Sequence, residues 1–542
     1  MPANLLKNFI KNLAKVAIGS IVFVLLIEVG IRVVYQIRNS RVEYVPIPYM
    51  VRNFGLVPPW MDGLRIVESD DLLLLRGRPN AQRKYLDLFC PMPSEEYRKA
   101  MLRRFSPSIP DEFKSNPTWE VKLNSEGFRN PEFSTAKPPN TLRIVCLGDS
   151  WTFGHNANQD KAYPQRLAVL LKESFPNMNI EVLNLGMLAS TSHIGLKVLQ
   201  QRALSLDPDI VLVGYSMNDA YLTGWHDKDV LVPKSHHFRL RKFITENSEL
   251  YRLMTYLGSA RKFEAITMTD HLEASSDRNE QFVYESWVSA DALEVKDYER
   301  FESRLRVTPA DYEKNITEMI RLIREHGAVP MLLHNELRPG SPYQSVLKKI
   351  SATENVTLVD NCELLGEARR NIERNLEQQL ALLPPAATPS VKQPGAIEVV
   401  FRLYLEKQPV RNAMYIAGPH PQLGASVPNK ISMFDDGTHG DQKAGDHVWS
   451  LAASFSPGQK IFYVYTNSGE EGKWQNLDLP KVRSFTVPAN EGGRIYRPIE
   501  TFGKLYLQAD GFHTNVEGYE LIALAVRDAI TRTGRWKLAV GR

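Results

Sequence analysis

Four short stretches carry residues that together suffice for acyl transfer. Gly148-Asp149-Ser150 offers a hydroxyl, Gly186 an unshielded backbone amide, and Asn218-Asp219 a side-chain amide. Asp510-Gly511-Phe512-His513 adds an imidazole with a carboxylate three residues away. A serine hydroxyl is a poor nucleophile until a base takes its proton. His513 is such a base, and Asp510 on the same turn would fix its tautomer and stabilise the imidazolium. The negative oxygen of a tetrahedral intermediate needs pre-aimed donors; the Ser150 and Gly186 backbone N–H groups and the Asn218 side chain could supply them. Thr514 and Glu517 read as a capping box that starts the last helix just after His513. Each piece also has a purely structural reading. Ser150 could be the N-cap of a strand-to-helix turn, Asn218-Asp219 an Asx turn, and Asp510/His513 a surface turn pair. Their joint placement favours chemistry, because each falls where an open α/β sheet presents its ligand.

The elements that must position them are legible as alternating strands and helices. Leu142–Leu147 is a continuous, mostly apolar run that suits a strand buried on both faces of a parallel sheet. Helix is expected at Tyr163–Ser174, Leu196–Leu206, Pro309–His326 and Val516–Ile530; strand is expected at Glu181–Leu185, Asp209–Gly214, Val329–Leu333 and Val356–Val359. Units of about 30 residues in this order indicate an α/β doubly wound parallel sheet. The stretch 222–305 interrupts it as a polar, largely helical insertion. Residues 363–394 read as helix running into a Pro-rich linker. From 395 to 490 short alternating runs separated by Gly, Pro, Asn and Asp read as an inserted β-sandwich. Trp449, Tyr463, Tyr465 and Trp474 in it could stack on sugar rings or fill its core. Asp435, Asp436, Asp441 and Asp446 miss the EF-hand spacing and read as a turn rather than a calcium site.

The amino-terminal stretch Val16–Tyr35 is long and apolar enough to cross a bilayer, about 30 Å as a helix. Glu28 and Arg32 interrupt it near its far end, four residues apart on one face, where they can pair. Bulky and charged residues after Gly30 offer no signal-peptidase site, so residues 1–38 are expected to be a cytoplasmic stub and an uncleaved anchor. Lys7, Lys11 and Lys15 before the span nearly balance Arg38, Arg41 and Arg52 after it, so charge alone does not orient it. Residues 39–119 form a Pro- and Arg-rich juxtamembrane segment.

Composition narrows the classes further. The chain has 542 residues, 43% apolar and 24% charged, which excludes a mainly disordered or polytopic membrane protein. A net charge of +4 gives no argument for nucleic acid. Three cysteines, none in a CxxC pair, exclude a disulfide framework and a cysteine-built zinc site.

The motifs resemble those of the SGNH (GDSL-type) hydrolases. LRIVCLGDSWTFG is similar to the family's first block, NLG ending at Gly186 to its second, GYSMNDA to its third and DGFHTN to its fifth; LNSEGFRNPE (Leu123–Glu132) is similar to a stretch preceding the first strand in bacterial members. In the third block Gly214 stands four residues before Asn218 rather than two, so only the Asn-Asp part carries over. The resemblance covers roughly 200 residues, about 120–220, 307–362 and 500–535. It implies a three-layer α/β/α fold and a serine esterase using Ser150, Asp510 and His513, with Ser150, Gly186 and Asn218 as oxyanion hole and no metal or other cofactor. No GxSxG elbow is present. Residues 120–362 and 495–542 would form that domain. The β domain resembles immunoglobulin-like, starch-binding-type modules. The expected activity is removal of O-acyl groups from a carbohydrate outside the cytoplasm, on a single-pass protein of the inner or plasma membrane, periplasmic in a Gram-negative source. The alternatives are an O-acyltransferase on a cell-surface glycan and a non-catalytic glycan-binding scaffold. Tyr215, Met217 and Tyr221 are expected to shape the substrate pocket.

Overall fold

A computed structural model describes residues 3–40, 44–46, 64–70, 74–86, 119–155, 157–221, 226–230, 243–244, 247–263, 302, 305–336, 339–381, 395–405, 410–446, 448–478, 482–489, 493–502 and 513–534. Helix α1 (Ala3–Ser40) contains the apolar span, and most of its large side chains from Leu13 to Ile37 are exposed, with Ile27, Ile31 and Tyr35 half-buried. It is the one described helix long and apolar enough to cross a membrane. Short strands follow at Tyr44–Pro46 (β1), Val67–Asp70 (β2), Leu74–Gly77 (β3), Gln82–Leu86 (β4) and Trp119–Lys122 (β5).

The α/β unit is built on five parallel strands: β6 (Thr141–Gly148), β7 (Asn179–Asn184), β8 (Ile210–Gly214), β9 (Val329–His334) and β10 (Thr357–Asp360), in the order β10-β9-β8-β6-β7. Every residue of β6 and β8 is buried, because helices cover both faces. Alternation along β6 sends Leu142, Ile144 and Cys146 toward α3 (Tyr163–Ser174) and α9 (Val516–Thr533). It sends Val145 and Leu147 toward α4 (Ser192–Val198), α6 (Pro309–Glu325) and α7 (Pro342–Glu354). Four strands begin or end within two residues of their expected bounds, and β6 is longer by one at each end. The helix expected at Leu196–Leu206 starts four residues earlier, at Ser192, because Thr191 caps it by accepting from Ile194 N–H; a wide turn at Leu199–Ala203 and a tight one at Leu204–Leu206 complete it. Chain order reverses between β6 and β8, which places the sheet's crevice there.

The stretch 395–502 carries eight strands in two four-stranded sheets. One holds β11 (Ile397–Tyr404), β14 (Val448–Phe455), β17 (Arg494–Tyr496) and β18 (Glu500–Thr501); the other holds β12 (Met414–Ala417), β13 (Ile431–Met433), β15 (Lys460–Asn467) and β16 (Arg483–Thr486). Both contribute to one apolar cluster. Tyr463 and Tyr465 are fully buried there with their hydroxyls on Glu500, which makes them core residues and not sugar platforms. Trp449 packs against the same cluster. Trp474 packs with Ala417, Val464 and Leu477 against the α/β unit's own core. Asp435, Asp441 and Asp446 bring carboxylate oxygens within 4.8 Å of one another, a clustering that the reading as a simple turn does not foresee. Burial, with the charges of Asp435 and Asp441, pushes Asp446 up to about 6. Helix α8 (Asn361–Ala381) occupies the first half of the expected linker, and the Pro-rich remainder lies outside the described residues.

Candidate active site

Ser150 follows β6 directly and opens the four-residue helix α2 (Ser150–Phe153). The N-cap is Asp149 rather than Ser150: the Asp149 carboxylate accepts from Trp151 N–H, which leaves the Ser150 hydroxyl unengaged in capping. Gly154 closes the turn in the left-handed region at φ 82°. His513 reaches the same point from just before α9. Its Nε2 lies 2.7 Å from Ser150 Oγ, and both residues are about 95% buried. Asn515 caps α9 by accepting from Gly518 N–H, so the cap sits one residue beyond the expected Thr514. Asp510, with Gly511 and Phe512, lies outside the described residues.

Gly186 packs against the back of the turn that carries Ser150. A Cβ there would stand 2.5 Å from Phe153 N, so no other residue fits without moving that turn. Its N–H donates to Asn184 Oδ1 at 2.9 Å, so it can meet an oxyanion only by sharing or releasing that bond. Asn218 is different. It follows β8 across the crevice, is 5% exposed, and its Nδ2 has no hydrogen-bond partner among the described residues. A buried donor left open is costly in the resting fold and is what a pre-organised oxyanion hole requires. Its neighbour Asp219 is structural: it accepts from the N–H and hydroxyl of Ser192. Burial pushes Asp219 up to about 7. Burial also raises the fully enclosed Asp149 carboxyl well above its ordinary value, and the charge of Asp219 adds to this.

Two of the expected pocket residues belong to the core. Tyr215 is 1% exposed, lies against Gly195 of α4, and receives a bond from Tyr312 on its carbonyl oxygen. Met217 is buried among the side chains beneath α3 and α9. Tyr221 is partly exposed, and its carbonyl oxygen accepts from Arg306 N–H. Arg306 forms a buried pair with Asp227 at 2.8 Å, which closes the insertion directly behind the Asn218-Asp219 loop.

Six residues around the site were given no role from the sequence. Arg129 is fully buried; it donates to the carbonyl oxygens of Phe153, Gly154, Ala157 and Glu120 at 2.5–3.0 Å and so clamps the chain leaving α2. Burial lowers it to about 10. Asn130 exchanges two bonds with the Asn184 backbone, and Asn184 in turn donates from its side chain to Thr152 O. Asn335, after β9, donates to Asp149 Oδ1 and Gly214 O, tying the ends of β6, β8 and β9. His155 stacks on His513 with ring centroids 4.3 Å apart, and Trp119 meets His155 edge-on. The LNSEGFRN stretch was the only pointer to Arg129 and Asn130. Among the described residues, the one group of three or more His, Cys, Asp or Glu ligand atoms that converge is the distant Asp435 set.

No family model matches the chain, and no curated protein does. Among solved structures it is similar to TesA, at 16% identity and a TM-score of 0.23, over 41% of this chain and 81% of that one. It is also similar to AlinE4, an SGNH-hydrolase family esterase, at 12% identity and a TM-score of 0.23, over 41% and 77%. A catalytic mutant of an acetylxylan esterase from Geobacillus stearothermophilus matches at 15% identity and a TM-score of 0.24, over 46% and 85%. At these scores the likeness adds no weight to the geometry.

Proposed function

We propose that the chain is a membrane-anchored serine esterase of the SGNH type that removes O-acyl groups from a carbohydrate. The observation that carries the reading is the 2.7 Å contact between Ser150 Oγ and His513 Nε2, made by residues 363 positions apart. In this mechanism Ser150 Oγ attacks the ester carbonyl carbon as its proton passes to His513 Nε2. Asp510 orients the ring. The oxyanion takes bonds from Asn218 Nδ2 and from the Ser150 and Gly186 backbone. Collapse breaks the ester C–O bond, the leaving alkoxide takes the proton from His513, and water then hydrolyses the acyl-enzyme by the same route reversed.

The fold we infer is the three-layer α/β/α hydrolase domain formed by 120–362 and the chain from 513 on, with a carbohydrate-binding-like β-sandwich inserted; residues 495–501, expected in the hydrolase domain, lie at strands that pair with β11. The acyl group and the carbohydrate follow from the family resemblance of the motifs, and the anchor from the apolar α1. Ser150→Ala in the full-length protein tests the reading. We expect loss of hydrolysis of a chromogenic acetate ester and of labelling by a fluorophosphonate probe. Retained hydrolysis in the purified variant would refute the mechanism, and a folded wild-type protein that takes no label would point to a scaffold.

A further inference from the structure

Glu28 is out of place in an apolar span. An ionisable side chain there is costly, and it persists where it has a specific partner. The structure supplies one. Helix α5 (Glu249–Phe263), inside the 222–305 insertion, starts against α1, and Glu28 receives the N–H groups of Glu249 at 2.7 Å and Leu250 at 3.0 Å together with the Ser248 hydroxyl at 3.1 Å. Arg32 completes the joint by donating to Glu28 Oε1 at 2.9 Å and to Asn247 O at 2.8 Å. The first N–H groups of any helix lack intrahelical acceptors. In water the solvent satisfies them; in hydrocarbon a protein acceptor must.

We propose that α5 is a second membrane element, an amphipathic helix lying in the bilayer interface and docked by its N-terminus on Glu28 of the anchor. Glu28 precedes Tyr35, the end of the span, by about 10 Å along the helix. The start of α5 is therefore held about 10 Å inside the end of the apolar span, within the depth to which an interfacial helix sinks its apolar face. The surface beside it is apolar and open: Phe243 is 63% exposed, Met254 65% and Leu257 52%. Met254 and Leu257 are three residues apart and share a face, the side-chain pattern of an interfacial helix. Leu25, Leu26, Val29 and Val33 of α1, within about a turn and a half of Glu28, are exposed as well, so apolar surface is open on both helices beside the joint. The occupant that such a patch fits is the phospholipid surface the anchor already enters.

The proposal rests on the membrane part of the functional reading and not on the esterase chemistry. Its test uses the full-length protein in phosphatidylcholine vesicles that carry a diazirine in mid-acyl chain, with cross-linked peptides mapped by mass spectrometry. We expect adducts on α1 and at 253–257. Adducts on α1 alone overturn the proposal and leave the anchor standing; adducts on neither overturn both. A cross-link from 253–257 to another protein chain in place of lipid also overturns it. Glu28→Leu, which keeps α1 apolar, should abolish the adducts at 253–257 while those on α1 and probe labelling of Ser150 persist. Undiminished adducts at 253–257 would refute the docking. Met254→Glu with Leu257→Glu gives a second route: loss of those adducts is expected with Glu28 intact, and their persistence counts against a lipid-facing helix.

Discussion

Asn218→Ala separates a catalytic donor from a scaffold residue, because the two roles predict opposite changes in stability. The Asn218 amide is buried, and its Nδ2 lacks a partner among the described residues. Leaving a buried donor unsatisfied costs about 1–3 kcal/mol in the resting fold. Truncation relieves that cost and leaves a small void that costs roughly 1 kcal/mol. The net change in stability is then between about 0 and 2 kcal/mol in favour of the variant. In a unit of this size each kcal/mol moves Tm by about 2–4 °C. The transition state loses a donor worth about 10²–10³ in kcat. The expected variant therefore hydrolyses a chromogenic acetate ester 10²–10³ more slowly, with KM little changed and Tm level or higher. Asn218→Asp, which keeps the shape and replaces the donor by an acceptor, should lose at least as much. A kcat loss under about threefold, or a Tm fall above about 5 °C accompanying the loss, would refute the assignment.

Arg129→Met removes four bonds to buried carbonyls and should destabilise the chain by about 3–5 kcal/mol in urea unfolding. Arg129→Lys keeps the charge but not the fork and should recover only part of that; a methionine variant within about 1 kcal/mol of the parent would show that the clamp is idle. Asp219, raised to about 7 by burial, holds a proton in the native state that the unfolded chain releases near 3.9. Native binding exceeds unfolded binding between those values, so this contribution is complete at about pH 4 and declines as pH climbs to about 7. Asp219→Asn should flatten that part of the urea-midpoint profile, and equal slopes in variant and parent would count against a protonated Asp219.

What the sequence made legible is what one-dimensional pattern encodes. The apolar runs of β6 and β8 stand out because a strand buried on both faces needs no alternation, and Tyr163–Ser174 because its apolar positions recur at helical spacing. Ser150, Gly186 and Asn218 were singled out because topology puts informative residues after strands. Tyr215 and Met217 also follow β8, and their side chains join the two apolar clusters on either side of the sheet. Arg129 and Asn184 lie within the LNSEGFRNPE and NLG motifs, but their roles were illegible for another reason. Their partners are backbone carbonyls and amides, which carry no side-chain signature in the sequence. The cap of α9 slipped by one residue because Thr514 and Asn515 are both capable caps and only backbone geometry chooses.

The residues before the first long strand belong to the site's mechanics. The rings of Tyr85, Trp119, His155 and His513 make successive contacts, so the imidazole that meets Ser150 is braced by a residue of β4 and one of β5. Arg129 holds the carbonyls at the end of α2, and Asn130 fixes Asn184, which positions Gly186. Phe153 and Leu188, from the loops beside the nucleophile, share an apolar cluster with Leu64, Ile66 and Val121. These contacts are mutually dependent: losing the clamp at Arg129 frees the turn whose last residues support the packing of His155 on His513. A chain trimmed to begin at β6 would keep Ser150 and lose what holds His513 and the Gly186 loop in register. The described residues between α1 and the sheet thus brace the geometry of Ser150 and His513.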